Sequence, residues 1–186
     1  MPAPSTPKLP TRLTELFGIE KPILCGGLMW LATAEYVAGV VNAGAMGFIT
    51  PRSYPDADAF RDAVRRCRAM TGGRNFGVNL YISARPAENE KMKAYVDVVV
   101  EEGVRCIETA GYSPEALLPR LKQAGCTVLH KATTVRHAAK AVSAGVDAVA
   151  LIGAECGGHP GMGDIPAMLL AARALEQLDV PVVVGG

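Results

Sequence analysis

The sequence predicts an α/β fold of parallel strands, the first seven strands of a (β/α)8 TIM barrel, and three observations predict it. Short apolar runs start about every 20 to 33 residues with helical patterns between them, so successive strands need crossover connections, which are right-handed in a parallel sheet. Nearly every run is apolar throughout rather than alternating, as strands covered on both faces are. Polar or glycine residues stand at the carboxyl end of run after run. An open doubly wound sheet also fits a βα repeat. The barrel is favoured because those ends, distant in sequence, then converge on one face.

The elements follow in order. Pro22 to Gly27 is a short apolar run ending in glycines, and Ala32 to Asn42 has helical spacing closed by Gly44. Met46 to Thr50 is the second strand, and Asp56 to Met70 the second helix with Asp56 or Asp58 as N-cap. Asn75 to Ile82 reads as the third strand, and Glu88 to Glu102 as a helix with a stripe of Met92, Tyr95, Val96 and Val99. Val104 to Thr109 is the fourth strand. Ser113-Pro114-Glu115 reads as an N-cap with proline at the first helical position, opening a helix that ends at Gly125. Thr127 to Lys131 is the fifth strand, and Thr134 caps a helix stopped by Gly145. Asp147 to Ile152, a helix over Ile165 to Leu178, and a seventh strand over Val180 to Val184 complete the pattern.

Composition narrows the function classes. Half of the 186 residues are hydrophobic (49%), enough for a large core, while a formal charge of +1 without basic runs argues against a nucleic-acid partner. The apolar stretches fall short of the roughly 20 residues of a membrane helix, so no membrane association is expected. Met1 to Pro10 is proline-rich, reads as a flexible leader and lacks a secretory signal. Five cysteines form no C-x-x-C pair and no metal spacing, as expected of reduced thiols in a cytoplasmic protein without a metal site. A complete barrel takes about 250 residues. An eighth strand and the phosphate loops are therefore expected outside residues 11–186.

The richest stretch is Gly153-Ala154-Glu155-Cys156-Gly157-Gly158-His159-Pro160-Gly161, directly after an apolar strand. Its glycines let backbone approach a ligand closely, and His159 suits proton transfer near neutrality. Lys131, at a strand end, either meets an anionic group or is simply solvated. Asn79 is a weak strand former in a strand, which fits an amide aimed at a ligand edge. Glu108 reads as a neutralising partner for Lys131. Gly26 and Gly27 either bring N–H groups to a planar ligand or form a turn. Cys156 reads as packing, His130 as facing the helices, and His137 as solvated.

These residues carry a resemblance. Phe17 to Ile23 with Gly26-Gly27-Leu28-Met29-Trp30, then Asn42-Ala43-Gly44, Phe76-Gly77-Val78-Asn79, His130-Lys131 and Glu155 to Gly161 resemble the nitronate monooxygenase family, formerly called 2-nitropropane dioxygenases. The group includes NADH:quinone reductases and flavin-dependent enoyl reductases, and His159-Pro160-Gly161 with Gly163 to Pro166 is similar to the quinone-reductase branch. The resemblance implies FMN at the carboxyl face of the barrel. Gly26, Gly27 and Leu28 would lie against the ring, with Leu28 where methionine is frequent. Asn79 and Tyr81 would border it, Lys131 would reach its pyrimidine edge, and Gly157 and Gly158 would line it. Gly185 and Gly186 would begin a phosphate loop, and His159 would face the substrate. That substrate would be a nitronate with O2, or a quinone with NADH as co-substrate, and a homodimer is left open.

Overall fold

The computed structural model of the chain describes residues 9–159 and 161–186. Most of the expected leader over residues 1–10 lies outside them. Seven strands form one sheet in sequence order, every neighbouring pair parallel: β1 (Leu24–Cys25), β2 (Met46–Ile49), β3 (Gly77–Ile82), β4 (Cys106–Gly111), β5 (Thr127–Ala132), β6 (Ala148–Ile152) and β7 (Val182–Gly185). This is the larger arc of a (β/α)8 barrel, with β1 and β7 as its edges among the described residues. No helix of the described residues is long and apolar enough to cross a membrane.

The pleat sorts side chains between two cores. Val78, Ile107, Val128, Val149 and Leu151 face the helices, against α2 (Ala34–Asn42), α3 (Ala57–Met70), α4 (Met92–Glu101), α5 (Leu118–Gln123), α6 (Val135–Ala144) and α7 (Ala167–Leu175). The alternate positions Met46, Phe48, Cys106, Leu129, Ala148 and Ala150 point inward and form the second core. That core is closed from below by a helix the hydrophobic pattern did not reveal, α1 (Arg12–Phe17). Thr11 and Thr14 cap it reciprocally, Gly18 ends it at φ 65°, and the Phe17 ring meets Phe48 edge-on at 6.3 Å. Six residues are too few to show an amphipathic period.

Two residues further along each strand, the inward positions change character: Asn79 follows Gly77, Glu108 follows Cys106, and Lys131 follows Leu129. A dry base thus carries a polar rim.

Several element bounds differ from expectation, each for a local reason. The helix expected from Ser113 begins only at Leu118, because Pro119 can occupy a first turn but not an interior; Ser113 instead takes the Glu115 N–H at 3.4 Å. The helix expected from Glu88 splits into a 3₁₀ turn (Pro86–Asn89) and α4, since the Asn89 amide bonds both backbone groups of Ser83 at 2.9 Å and pulls the chain out of register. Pro166 delays α7 to Ala167. The first strand shrinks to the two residues that pair with β2. Asp56 and Thr134 cap their helices as expected, accepting the N–H groups of Ala59 and His137.

Candidate functional site

At the carboxyl end of the strands lies a cavity of about 580 Å³. Gly26, Gly27, Leu28, Asn79, Tyr81, Lys131, Gly157, Gly158 and His159 all line it, so residues from the segment after β1, from β3 and β5, and from the loop after β6 are brought together. Gly185 and Gly186 are not among the lining residues. The Gly185 carbonyl instead accepts the Gly153 N–H at 2.9 Å, and Gly186 packs beside Glu155.

Behind the lining sits Glu108, with 1% of its surface exposed. Its Oε2 accepts the Gly27 N–H at 2.8 Å and the Asn79 amide at 2.6 Å, and its Oε1 lies 3.1 Å from Lys131 Nζ. A buried carboxylate is costly unless its oxygens are satisfied, and here three donors, from the segment after β1 and from β3 and β5, satisfy it. The reading of Glu108 as a partner for Lys131 holds, but it understates the role: the same carboxylate also fixes the amide and the glycine backbone. The cluster explains the two glycines. A Cβ on Gly26 would come 2.7 Å from both Glu108 Oε1 and Lys131 Nζ, and one on Gly27 would come 2.3 Å from the Asn79 Cβ.

The loop after β6 is anchored at several points. Cys156 N–H bonds the Gly153 carbonyl, Ala154 N–H bonds the Ile165 carbonyl, and Gly161 packs so closely on Thr133 that a Cβ would fall 2.6 Å from it. Gly158, at φ 100°, holds a conformation that side chains disfavour and lifts His159 to the exposed mouth. Cys156 is half-buried, lines the cavity and directs its thiol to the Gly157 carbonyl at 3.1 Å.

The other histidines behave as the strand phase requires. His130 alternates with Lys131 and is buried, its Nδ1 2.9 Å from Thr109 Oγ1. Burial first, then the neighbouring His137, pushes its pKa down to about 4, so it is neutral at physiological pH. His137 is exposed on the first turn of α6, at the margin of the cavity.

Two features escaped the sequence reading. Thr50, at the end of β2, is buried beside Gly27 and its hydroxyl has no hydrogen-bond partner among the described residues. A polar residue ending an apolar strand was the available signal. The second is a lip of exposed apolar side chains, in which Met29, Trp30 and Leu31 join the expected Leu28. Trp30 holds φ 67°, costly for a bulky residue, while its N–H donates to Ser53 Oγ at 2.8 Å.

A parallel βα arc with convergent polar groups at its carboxyl rim defines a barrel of the enzyme type. More narrowly, the chain belongs to the nitronate monooxygenase family, whose sequence model matches residues 10–186. It is 33% identical over 178 residues to the 5-hydroxy-7a-methyl-1-oxo-octahydro-1H-indene-4-carboxyl-CoA dehydrogenase of Rhodococcus jostii, a match covering 96% of this chain and 48% of that protein. Among solved structures it resembles FabK from Thermotoga maritima, with a TM-score of 0.84 and 31% identity over 94% of this chain and 53% of the other. It also resembles a nitroalkane oxidase from Streptomyces ansochromogenes, with a TM-score of 0.77 and 26% identity over 92% of this chain and 59% of the other. The chain therefore spans about half the length of the relatives it matches.

Proposed function

We propose that this chain forms the ring-facing part of an FMN-dependent oxidoreductase that oxidises alkyl nitronates with O2. The observation that carries the reading is the meeting of Asn79, Lys131, His159 and the Gly157-Gly158 pair around one cavity. The residues present fit the ring of a flavin. A Cβ on Gly157 would meet nothing within 4 Å, so that wall leaves room for a flat group, and Lys131 and Asn79 stand at one edge with polar atoms. Gly185, which ends β7, and Gly186 after it would begin a phosphate loop, and they contribute nothing to the cavity wall.

Bound FMN would supply electron transfer between substrate and oxygen. The protein's own groups would do the rest. An ammonium has three N–H donors, so Lys131 keeps donors free beyond its contact with Glu108 and can hold negative charge at the pyrimidine edge. Asn79 would border the ring, Gly26 to Leu28 and Tyr81 would pack against it, and His159 would orient the nitronate or take the α-proton of a nitroalkane.

A second reading draws on the apolar lip. Leu28 to Leu31 offers a large apolar surface to a bulky substrate, and a relative sharing 33% identity is named for a ring-bearing CoA thioester. Dehydrogenation or reduction of such a compound, or of a quinone at the expense of NADH, would use the same cavity. Oxygen uptake with ethylnitronate and no NADH supports the monooxygenase. Anaerobic bleaching of the flavin by micromolar NADH, with no oxygen uptake on nitronates, would replace it with the reductase. Purified protein without flavin absorbance, and with no affinity for added FMN, would end both.

A further inference from the structure

We infer that Glu108 is a positioning residue that aims the Lys131 ammonium and sets the net charge of the cavity's polar edge. The carboxylate does not line the cavity, so it acts through other groups. Its partners are the Gly27 N–H, the Asn79 amide and Lys131, contributed by the segment after β1, by β3 and by β5. One buried group thereby fixes three wall elements relative to one another.

Lys131 keeps a quarter of its side chain exposed, whereas Glu108 keeps 2% of its own. The cation therefore faces the cavity while its counter-charge stands behind the wall. A ligand at that edge meets oriented N–H donors in a nearly neutral surrounding. Without the carboxylate it would meet a full positive charge, and the lysine would lose the contact that holds it.

The inference rests on the flavin reading in one arm of its test and is independent of it in the other. The informative variant is Glu108→Gln, which keeps the shape and the ability to accept the Gly27 N–H but loses the charge; Glu108→Asp restores the charge one methylene short. Ile107→Val serves as a packing control on the opposite pleat face.

With FMN bound, the reduced-to-oxidised flavin ratio against a reference dye should rise on the order of tenfold in Glu108→Gln, as expected for one uncompensated charge at a partly solvated edge. Glu108→Asp should return most of that change and Ile107→Val should show none. In flavin-free protein treated with acetic anhydride and read by mass spectrometry, Lys131 of Glu108→Gln should acetylate roughly tenfold faster relative to exposed Lys140, having lost the ion pair that restrains it. An unchanged flavin ratio, or a shift equal to that of Ile107→Val, overturns the charge-setting role. An unchanged Lys131-to-Lys140 rate ratio overturns the positioning role. If wild-type protein takes up no FMN, the flavin reading falls and the acetylation arm alone decides on Glu108.

Discussion

The Glu155 carboxylate accepts the Ala167 N–H with both oxygens, at 2.9 and 3.1 Å, and so caps α7 from twelve residues upstream. Pro166, at the N-cap position, makes no side-chain cap of its own, and Glu155 supplies what it lacks. The same contact ties the glycine-rich loop that carries His159 to the first turn of the helix. Glu155→Ala should lower stability by about 1 kcal/mol, the usual worth of a helix cap. It should also speed amide exchange at Ala154 and Ala167, measured by mass spectrometry; unchanged exchange would show that the loop does not depend on this cap.

Two glycines of the cavity should respond oppositely to alanine. At Gly27 the new methyl would press on Asn79 and Thr50, so Gly27→Ala should cost roughly 1–3 kcal/mol in denaturant unfolding as an overpacked site. At Gly157 the methyl meets open space, so Gly157→Ala should fold normally and lose ligand affinity only. Equal melting temperatures for the two variants would contradict the packing described for Gly27.

Asn79→Ala removes a hydrogen bond to a buried carboxylate. The expected loss is about 2 kcal/mol, in the range for hydrogen bonds to charged partners. Urea unfolding at neutral pH measures it, and a loss below a few tenths would mean that the Asn79–Glu108 contact carries little energy.

Under the proposed nitronate-oxidising function, His159→Ala should retain FMN while slowing turnover of a nitroalkane by roughly 10²–10⁴, the usual span for a general base. Flavin content by absorbance and turnover by oxygen electrode separate the two effects. Full turnover would take the imidazole out of the chemistry.

His130 makes stability depend on pH. Its folded pKa of about 4 lies below the unfolded value near 6.5, so the unfolded chain binds more protons between these limits. Stability from this residue is therefore intact above pH 6.5 and falls by up to about 1.4 kcal/mol per pH unit as the solution is acidified toward pH 4. His130→Gln should flatten that part of the stability curve in urea titrations at a series of pH values. An equally steep decline in the variant would assign the acid sensitivity elsewhere.

Much of this was legible in the residues themselves. Apolar runs such as Ala148 to Ile152 announce strands covered on both faces, and their spacing announces parallel crossovers. The strand phase set Lys131 apart from His130, whose ring bonds Thr109 on the buried side although the residue also borders the cavity. What remained hidden was set by tertiary contact. Nothing near Glu108 in sequence says that Gly27, 81 residues away, will donate to it. α1 is too short to declare itself, and the late start of α5 turned on Pro119 outweighing a plausible cap at Ser113.

The inward turn from hydrocarbon to polar groups along β3, β4 and β5 makes this site intolerant of changes in strand length. Deleting one residue before Asn79, Glu108 or Lys131 would rotate that side chain toward the helices and bring its neighbour, Leu80, Thr109 or Ala132, to the rim in its place. The loops above the strands are free of this constraint, since a change in their length leaves the phase beneath untouched.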